Sequence, residues 1–386
     1  LRDQRKRDFS PTLLDFGPLR IYLARHFGFC YGVENAIEIS YRALEENAGR
    51  RVFLLSQMIH NPEVNRDLEE RGISFIMDTD GTMFTPWEQI GPDDIVIIPA
   101  FGTTLETEQL LLSKGVEIQR YNTTCPFVEK VWNRAAKLGR DNYTVIIHGK
   151  PAHEETRATF SHSSAAAPSI IIRNMDEARR LAAYILEEEP AEKFFTEFRG
   201  RHSPGFRPEQ HLVRVGVVNQ TTMLATETQA IADFFRSVMI RKYGEDSLHD
   251  HFADTRDTLC YATNDNQEAT YALLETEADL ALVIGGYNSS NTSHIAELCA
   301  RKFPTYFINS DKEIISPSEI HHWNYQKKQK ETSHGWLPTH RPVQIVLTSG
   351  ASCPDTLVDR VMIRLVEFFP EAKPVESVIR TFLKTA

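Results

Sequence analysis

Long apolar runs are missing from this sequence. Nowhere does it approach the ~20 consecutive apolar residues that a membrane-spanning helix needs, so no membrane partner is expected. It also lacks an excess of positive charge: 43 Lys and Arg stand against 53 Asp and Glu, giving a net charge of -10. With no long basic face, that balance argues against nucleic acid as a partner. Cysteine is scarce, five in 386 residues. An odd number at wide spacing does not make a disulfide framework. The basic start (Arg2, Arg5, Lys6, Arg7) is followed by no apolar signal-peptide core. Together these absences lead us to expect a reduced, cytoplasmic protein.

What is present is ordinary for a globular chain, 41% hydrophobic and 25% charged, and long enough for two or three domains around a large core. Residues 1–17 read as a charged, flexible lead-in. From Leu19 one theme repeats: a buried strand, a polar loop, then a helix. Strands are predicted at 21–24, 52–55, 95–99, 145–148, 170–172, 215–218, 281–284, 305–308 and 345–348. Helical patterns lie between them, for example at 62–71, 176–188, 226–243, 293–302 and 354–369. That alternation predicts an α/β protein with mostly parallel sheets covered on both faces. Two polar stretches, 187–209 and 316–342, interrupt it and read as surface insertions. His321, His322 and His334 in the second are read as solvated loop residues rather than metal ligands.

Six strands end in small or polar residues, most of them with glycine, and open α/β sheets bind ligands outside the carboxyl ends of their strands. Cys125 sits on such a turn, between a strand-like run at 116–120 and a helical pattern through Val128, Val131 and Ala135. Pro126 suits a first helical position, and helix N-terminal amides favour thiolate. Cys30 and Cys260 also stand at helix entrances, each roughly a hundred residues from Cys125. Three such thiols suggest iron–sulfur ligation, with buried structural thiols as the competing reading. Cys299 and Cys353 are assigned to packing.

Ser289, Ser290 and Asn291 follow a strand and two glycines and form either an anion cradle or a helix cap. Ser352 occupies the same point of the last unit. His60 and His153 could donate to the same anion or be satisfied structural histidines. Glu154 and Glu155 include a candidate general acid, on the argument that adjacent carboxylates raise one pKa; capping is the alternative. Gln220, Thr221 and Thr222 could orient a water or hydroxyl, or cap a helix.

At these residues the sequence resembles the IspH (LytB) family of 4-hydroxy-3-methylbut-2-enyl diphosphate reductases. The markers are Gly28-Phe29-Cys30-Tyr31-Gly32-Val33, Ile59-His60-Asn61, Thr124-Cys125-Pro126, His153-Glu154-Glu155-Thr156, Gln220-Thr221-Thr222, Cys260-Tyr261-Ala262-Thr263, Asn288-Ser289-Ser290-Asn291 and Gly350-Ala351-Ser352. They keep one order from Leu19 to about Phe369. The resemblance implies a trefoil of three α/β domains, at 31–124, 125–258 and 18–30 plus 259–386. At its centre would lie a [4Fe-4S] cluster on Cys30, Cys125 and Cys260, with one open iron. It implies that His60, His153, Ser289, Ser290, Asn291 and Ser352 grip the diphosphate of a small allylic substrate. Glu155 would deliver a proton and Thr221 place the substrate hydroxyl. Two electrons, from reduced ferredoxin or flavodoxin, and two protons would remove that hydroxyl as water through an allyl-type intermediate. The products would be isopentenyl and dimethylallyl diphosphate, at the last step of the methylerythritol phosphate route. One departure stands out. Phe101 occupies a position where many bacterial members carry a diphosphate-binding histidine; the longer plant and cyanobacterial branch is similar to this chain in having Phe-Gly there, which implies a grip redistributed onto Thr103 or Lys150. Two other classes stay open: a hydro-lyase using the iron only as a Lewis acid, and an iron–sulfur electron carrier or sensor.

Overall fold

Buried β-branched runs alternating with amphipathic helices produce three sheets in the computed structural model, which describes residues 8–255 and 258–383. The strands are β1 (Thr12–Asp15), β2 (Leu19–Leu23), β3 (Val52–Leu54), β4 (Ile73–Phe75), β5 (Ile95–Ile97), β6 (Thr144–His148), β7 (Ser169–Ile172) and β8 (Val215–Asn219). After them come β9 (Phe252–Ala253), β10 (Leu280–Ile284), β11 (Thr305–Ile308), β12 (Ile314–Ser316), β13 (Glu319–Asn324), β14 (Gln329–His334) and β15 (Val343–Ser349).

The chain divides into two compact units. One contains the residues up to Val33, His60–Glu63 and everything from Tyr261 onward. Its sheet runs β1-β2-β15-β10-β11-β13-β12, with β14 paired to β13. The strands β2, β15, β10 and β11 are parallel, and the edges are antiparallel. All five residues of β10 are buried, as a parallel strand covered on both faces requires. Cys299 and Cys353 lie in this core, and burial pushes both thiols up to about 12. They are packing residues. The other unit holds Glu34–Ile59 and Val64–Cys260. It carries two sheets with wholly parallel pairing, β4-β3-β5 and β7-β6-β8-β9.

Several expectations need correction. Within 1–17, residues 12–15 form β1 because Thr12 and Leu14 alternate inward and pair with β2; residues 1–7 lie outside the described residues. Stretch 187–209 is exposed along most of its length, as expected of a surface segment, but it is anchored by buried aromatic residues. Its helix Ala191–Glu197 buries Phe194, which stacks on Phe206 at 5.3 Å and packs on Phe198 at 5.1 Å. Aromatic burial overrode a polar composition. Stretch 316–342 is largely the β13–β14 hairpin, whose histidines have polar partners on the hairpin: His321 on Glu319 at 3.1 Å and His322 on Ser333 at 2.9 Å. Residues 116–120 form no strand. They contribute buried Val116 and Ile118 to the core around β5, and only Asn122 bridges to Ile98.

Candidate active site

Strand β6 ends at His148 and feeds a tight turn into the helix Glu154–Ser164. His153 caps that helix, its Nδ1 accepting the Glu155 N–H at 3.2 Å, which places the ring proton on Nε2. Glu155 is buried to 1% exposure. Thr221, just past β8, donates its backbone N–H to Glu155 Oε1 at 2.5 Å and its hydroxyl to Oε2 at 3.0 Å. Burial raises this carboxyl to about 7, against the opposing pull of the Thr221 bonds. Glu154 is also raised to about 7 by burial, opposed by the Ser56 hydroxyl that donates to it. Mutual repulsion of adjacent carboxylates is therefore not the cause. Desolvation is, and it acts on both.

Gln220 joins the ends of β6 and β8. Its Oε1 accepts the Lys150 N–H at 3.1 Å and the Thr156 hydroxyl at 3.0 Å, while its Nε2 donates to Thr222 at 2.7 Å. Its partners, like the Ser56 contact to Glu154, leave no local sequence pattern. Phe101 stands edge-on to His153, with centroids 5.5 Å apart and planes at 85°. Its ring packs against a candidate anion donor without supplying one. Thr103 is buried, and its carbonyl bonds to His162 at 3.2 Å.

Cys30, Cys125 and Cys260 are each partly exposed and each immediately precede a helix, starting at Tyr31, Pro126 and Tyr261. Cys125 donates its N–H to Ala100 at 3.0 Å and accepts from Val128 at 2.8 Å. Cys260 donates its N–H to the Thr221 carbonyl at 3.2 Å, so Thr221 touches both Glu155 and the backbone of Cys260. Cys30 donates its N–H to the Ala351 carbonyl at 3.3 Å. Reachable thiols at helix N-termini suit thiolate ligation of an iron–sulfur cluster, unlike the buried Cys299 and Cys353. Among the described residues, no three His, Cys, Asp or Glu side chains gather as a site for a single metal ion.

The candidate anion cradle lies in the unit that contains Cys30. Ser289 caps the helix Ser290–Cys299, accepting the Thr292 N–H at 3.2 Å and the Thr292 hydroxyl at 3.0 Å. Its own proton is left to donate. Asn291 Oδ1 accepts the Ala351 N–H at 3.0 Å. Ala351 thus ties Asn291 to Cys30 much as Thr221 ties Glu155 to Cys260. Ser290 Oγ, Asn291 Nδ2 and Ser352 Oγ are buried without a hydrogen-bond partner among the described residues. Leaving one such group unmet costs about 1–3 kcal/mol, and these three make the cradle a candidate site for an acceptor-rich ligand. His60 is buried, and its carbonyl passes so close to Gly286 that a Cβ there would lie 1.9 Å from the oxygen.

Comparison with known proteins identifies the family. The sequence profile of the family described as "LytB protein" matches residues 21–366. The chain is 41% identical over 352 residues to 4-hydroxy-3-methylbut-2-enyl diphosphate reductase of Crocosphaera subtropica, covering 91% of this chain and 85% of that protein. Against the protein of the same name from Synechocystis it is 40% identical over 363 residues, 94% and 93% of the two chains. Among solved structures, a reductase of Plasmodium falciparum, described as acting on E-1-hydroxy-2-methyl-but-2-enyl-4-diphosphate, is similar in fold. Its TM-score is 0.65 at 21% identity, over 92% of this chain and 90% of that one. A second, the terminal enzyme of the non-mevalonate pathway, gives 0.52 at 24% identity, over 90% and 99%. Among the described residues no helix is long and apolar enough to cross a membrane.

Proposed function

The chain belongs to the LytB protein family, and from that premise we propose that it reduces 4-hydroxy-3-methylbut-2-enyl diphosphate. The substrate C–O bond breaks, two electrons and two protons enter, and water leaves. One proton completes the water, and the other forms the new C–H bond of isopentenyl or dimethylallyl diphosphate. This would be the last step of the methylerythritol phosphate route to isoprenoids.

Glu155 is the acid. A carboxyl near 7 keeps about half of its acid form at neutral pH and gives up that proton readily. Thr221 holds it through two bonds and positions the substrate hydroxyl. The diphosphate is gripped by Ser289, Ser290, Asn291 and Ser352 with His60 and the Nε2–H of His153. A [4Fe-4S] cluster on Cys30, Cys125 and Cys260 would supply the electrons and an iron open to the hydroxyl. Reduced ferredoxin or flavodoxin is the proposed electron donor and the cytoplasm the proposed setting. The proposed domains are 31–124, 125–258 and 18–30 plus 259–386.

One observation carries this reading: the buried carboxyl of Glu155 and the backbone of Cys260 share Thr221 as partner. This shared partner supports the reading because it ties the proposed proton source to the backbone of a proposed cluster ligand. The test is anaerobic turnover of the hydroxylated C5 allylic diphosphate with a low-potential reductant, alongside iron and sulfide counts. Reductant-dependent formation of both C5 diphosphates is expected. Turnover without reductant, or a loaded cluster with no turnover, overturns the proposal.

A further inference from the structure

The β13–β14 hairpin does more than extend the edge of its sheet. Two of its side chains converge on Tyr287, which lies between Gly286 and the Ser289–Asn291 cradle. Trp323 of β13 stacks on the Tyr287 ring, with centroids 4.8 Å apart and planes within 10° of parallel. Lys330, the cross-strand partner of Trp323 on β14, places its ammonium 5.5 Å from the same ring and 3.2 Å from Glu313. Glu313, the residue before β12, receives the Tyr287 hydroxyl on its carboxylate and the Asn309 N–H at 2.8 Å. Phe307 of β11 closes the edge of the tyrosine at 5.3 Å. One ring is thus held by a stack, a cation, a carboxylate and an edge contact.

The loop it anchors leads into a helix whose first residues, Ser290 and Asn291, present donors that find no partner among the described residues. Such a loop binds well only if it is held in its bound shape beforehand, because ordering it on binding subtracts from affinity. We propose that the hairpin is a brace for the anion cradle. Tyr287, Trp323 and Glu313 are positioning residues that keep Ser290 and Asn291 aimed at a diphosphate. This rests on the diphosphate reading above and assigns a role to a segment that the sequence presents only as a polar insertion.

The test uses Tyr287→Phe, which keeps the ring and removes the bond to Glu313, and Trp323→Ala, which removes the stack. Lys327→Ala is the control, because Lys327 pairs with Glu331 on the hairpin without touching Tyr287. Inorganic pyrophosphate binding is measured by calorimetry. KM and kcat are measured on the anaerobically reconstituted enzyme. In both test variants the pyrophosphate Kd and the KM should rise about tenfold, with kcat within twofold and Lys327→Ala unchanged. Unchanged Kd and KM in both test variants overturn the brace. So does a loss of kcat that follows thermal stability while KM stays fixed. If the unmodified protein binds pyrophosphate but does not reduce the allylic diphosphate, the reaction reading falls, while weaker pyrophosphate binding in Tyr287→Phe still upholds the brace. No pyrophosphate binding by the unmodified protein overturns the brace and the diphosphate reading together.

Discussion

Thr221 and Ala351 each link a cysteine's amide to a functional group through their own backbone. Glu155→Gln keeps the size of the acid and removes its proton. Pyrophosphate binding and iron content should stay within twofold while kcat falls at least a hundredfold, the usual contribution of a positioned acid. Near-normal turnover would show that the proton comes from elsewhere. The same carboxyl makes a pH prediction. Its pKa is raised from near 4.5 to about 7 in the folded state, as is that of Glu154. Their protonated forms therefore contribute stability that is complete below about 4.5 and lost as pH rises through about 7, by about 3 kcal/mol each. Urea midpoints should fall across that window, and by less in Glu154→Gln. Turnover should decline above about pH 7 for want of the acid form. At Gly286, a methyl would press on the His60 carbonyl. Gly286→Ala should weaken pyrophosphate binding at least tenfold and cost about 1–3 kcal/mol of stability, seen in binding and denaturation together.

Among elements, legibility followed burial pattern. Strand β10 announces itself as an unbroken apolar run and β11 and β15 as mostly apolar ones, and predicted and observed ends agree within two residues. Helix entrances were legible for a local reason: Pro126 suits a first helical turn, and Ser289 caps its helix through Thr292, three residues on. Elements that depend on distant partners were not. Strand β1 is four residues whose pattern has meaning only beside β2. The helix Ala191–Glu197 looks charged until Phe194 meets Phe198 and Phe206. Phe194→Ala should cost about 3–5 kcal/mol in urea unfolding, as loss of a large buried ring does. A cost below 1 kcal/mol would show that this ring does not anchor the stretch. The candidate site divides the same way. Its residue types were readable, whereas the shared backbone links through Thr221 and Ala351, and burial as the cause of both raised glutamates, required the folded chain.

For the whole molecule, a group that binds only the folded chain stabilises it by mass action. Anaerobically loaded protein should therefore melt several degrees above protein stripped of iron, and Cys125→Ser should abolish the difference. Equal melting of the loaded and stripped forms would remove the cysteines from the ligand set. The order of the largest sheet carries a further consequence, one of timing. β2 near the start of the chain pairs with β15, its partner Val343 lying roughly 320 residues beyond Leu19. At ~5–20 residues per second of synthesis, β2 and the segment bearing Cys30 wait roughly 15–65 s for the strand that completes them. For that interval a nascent chain exposes an apolar strand edge and a reactive thiol, so its yield in a cell depends on what shields them before the last strand emerges.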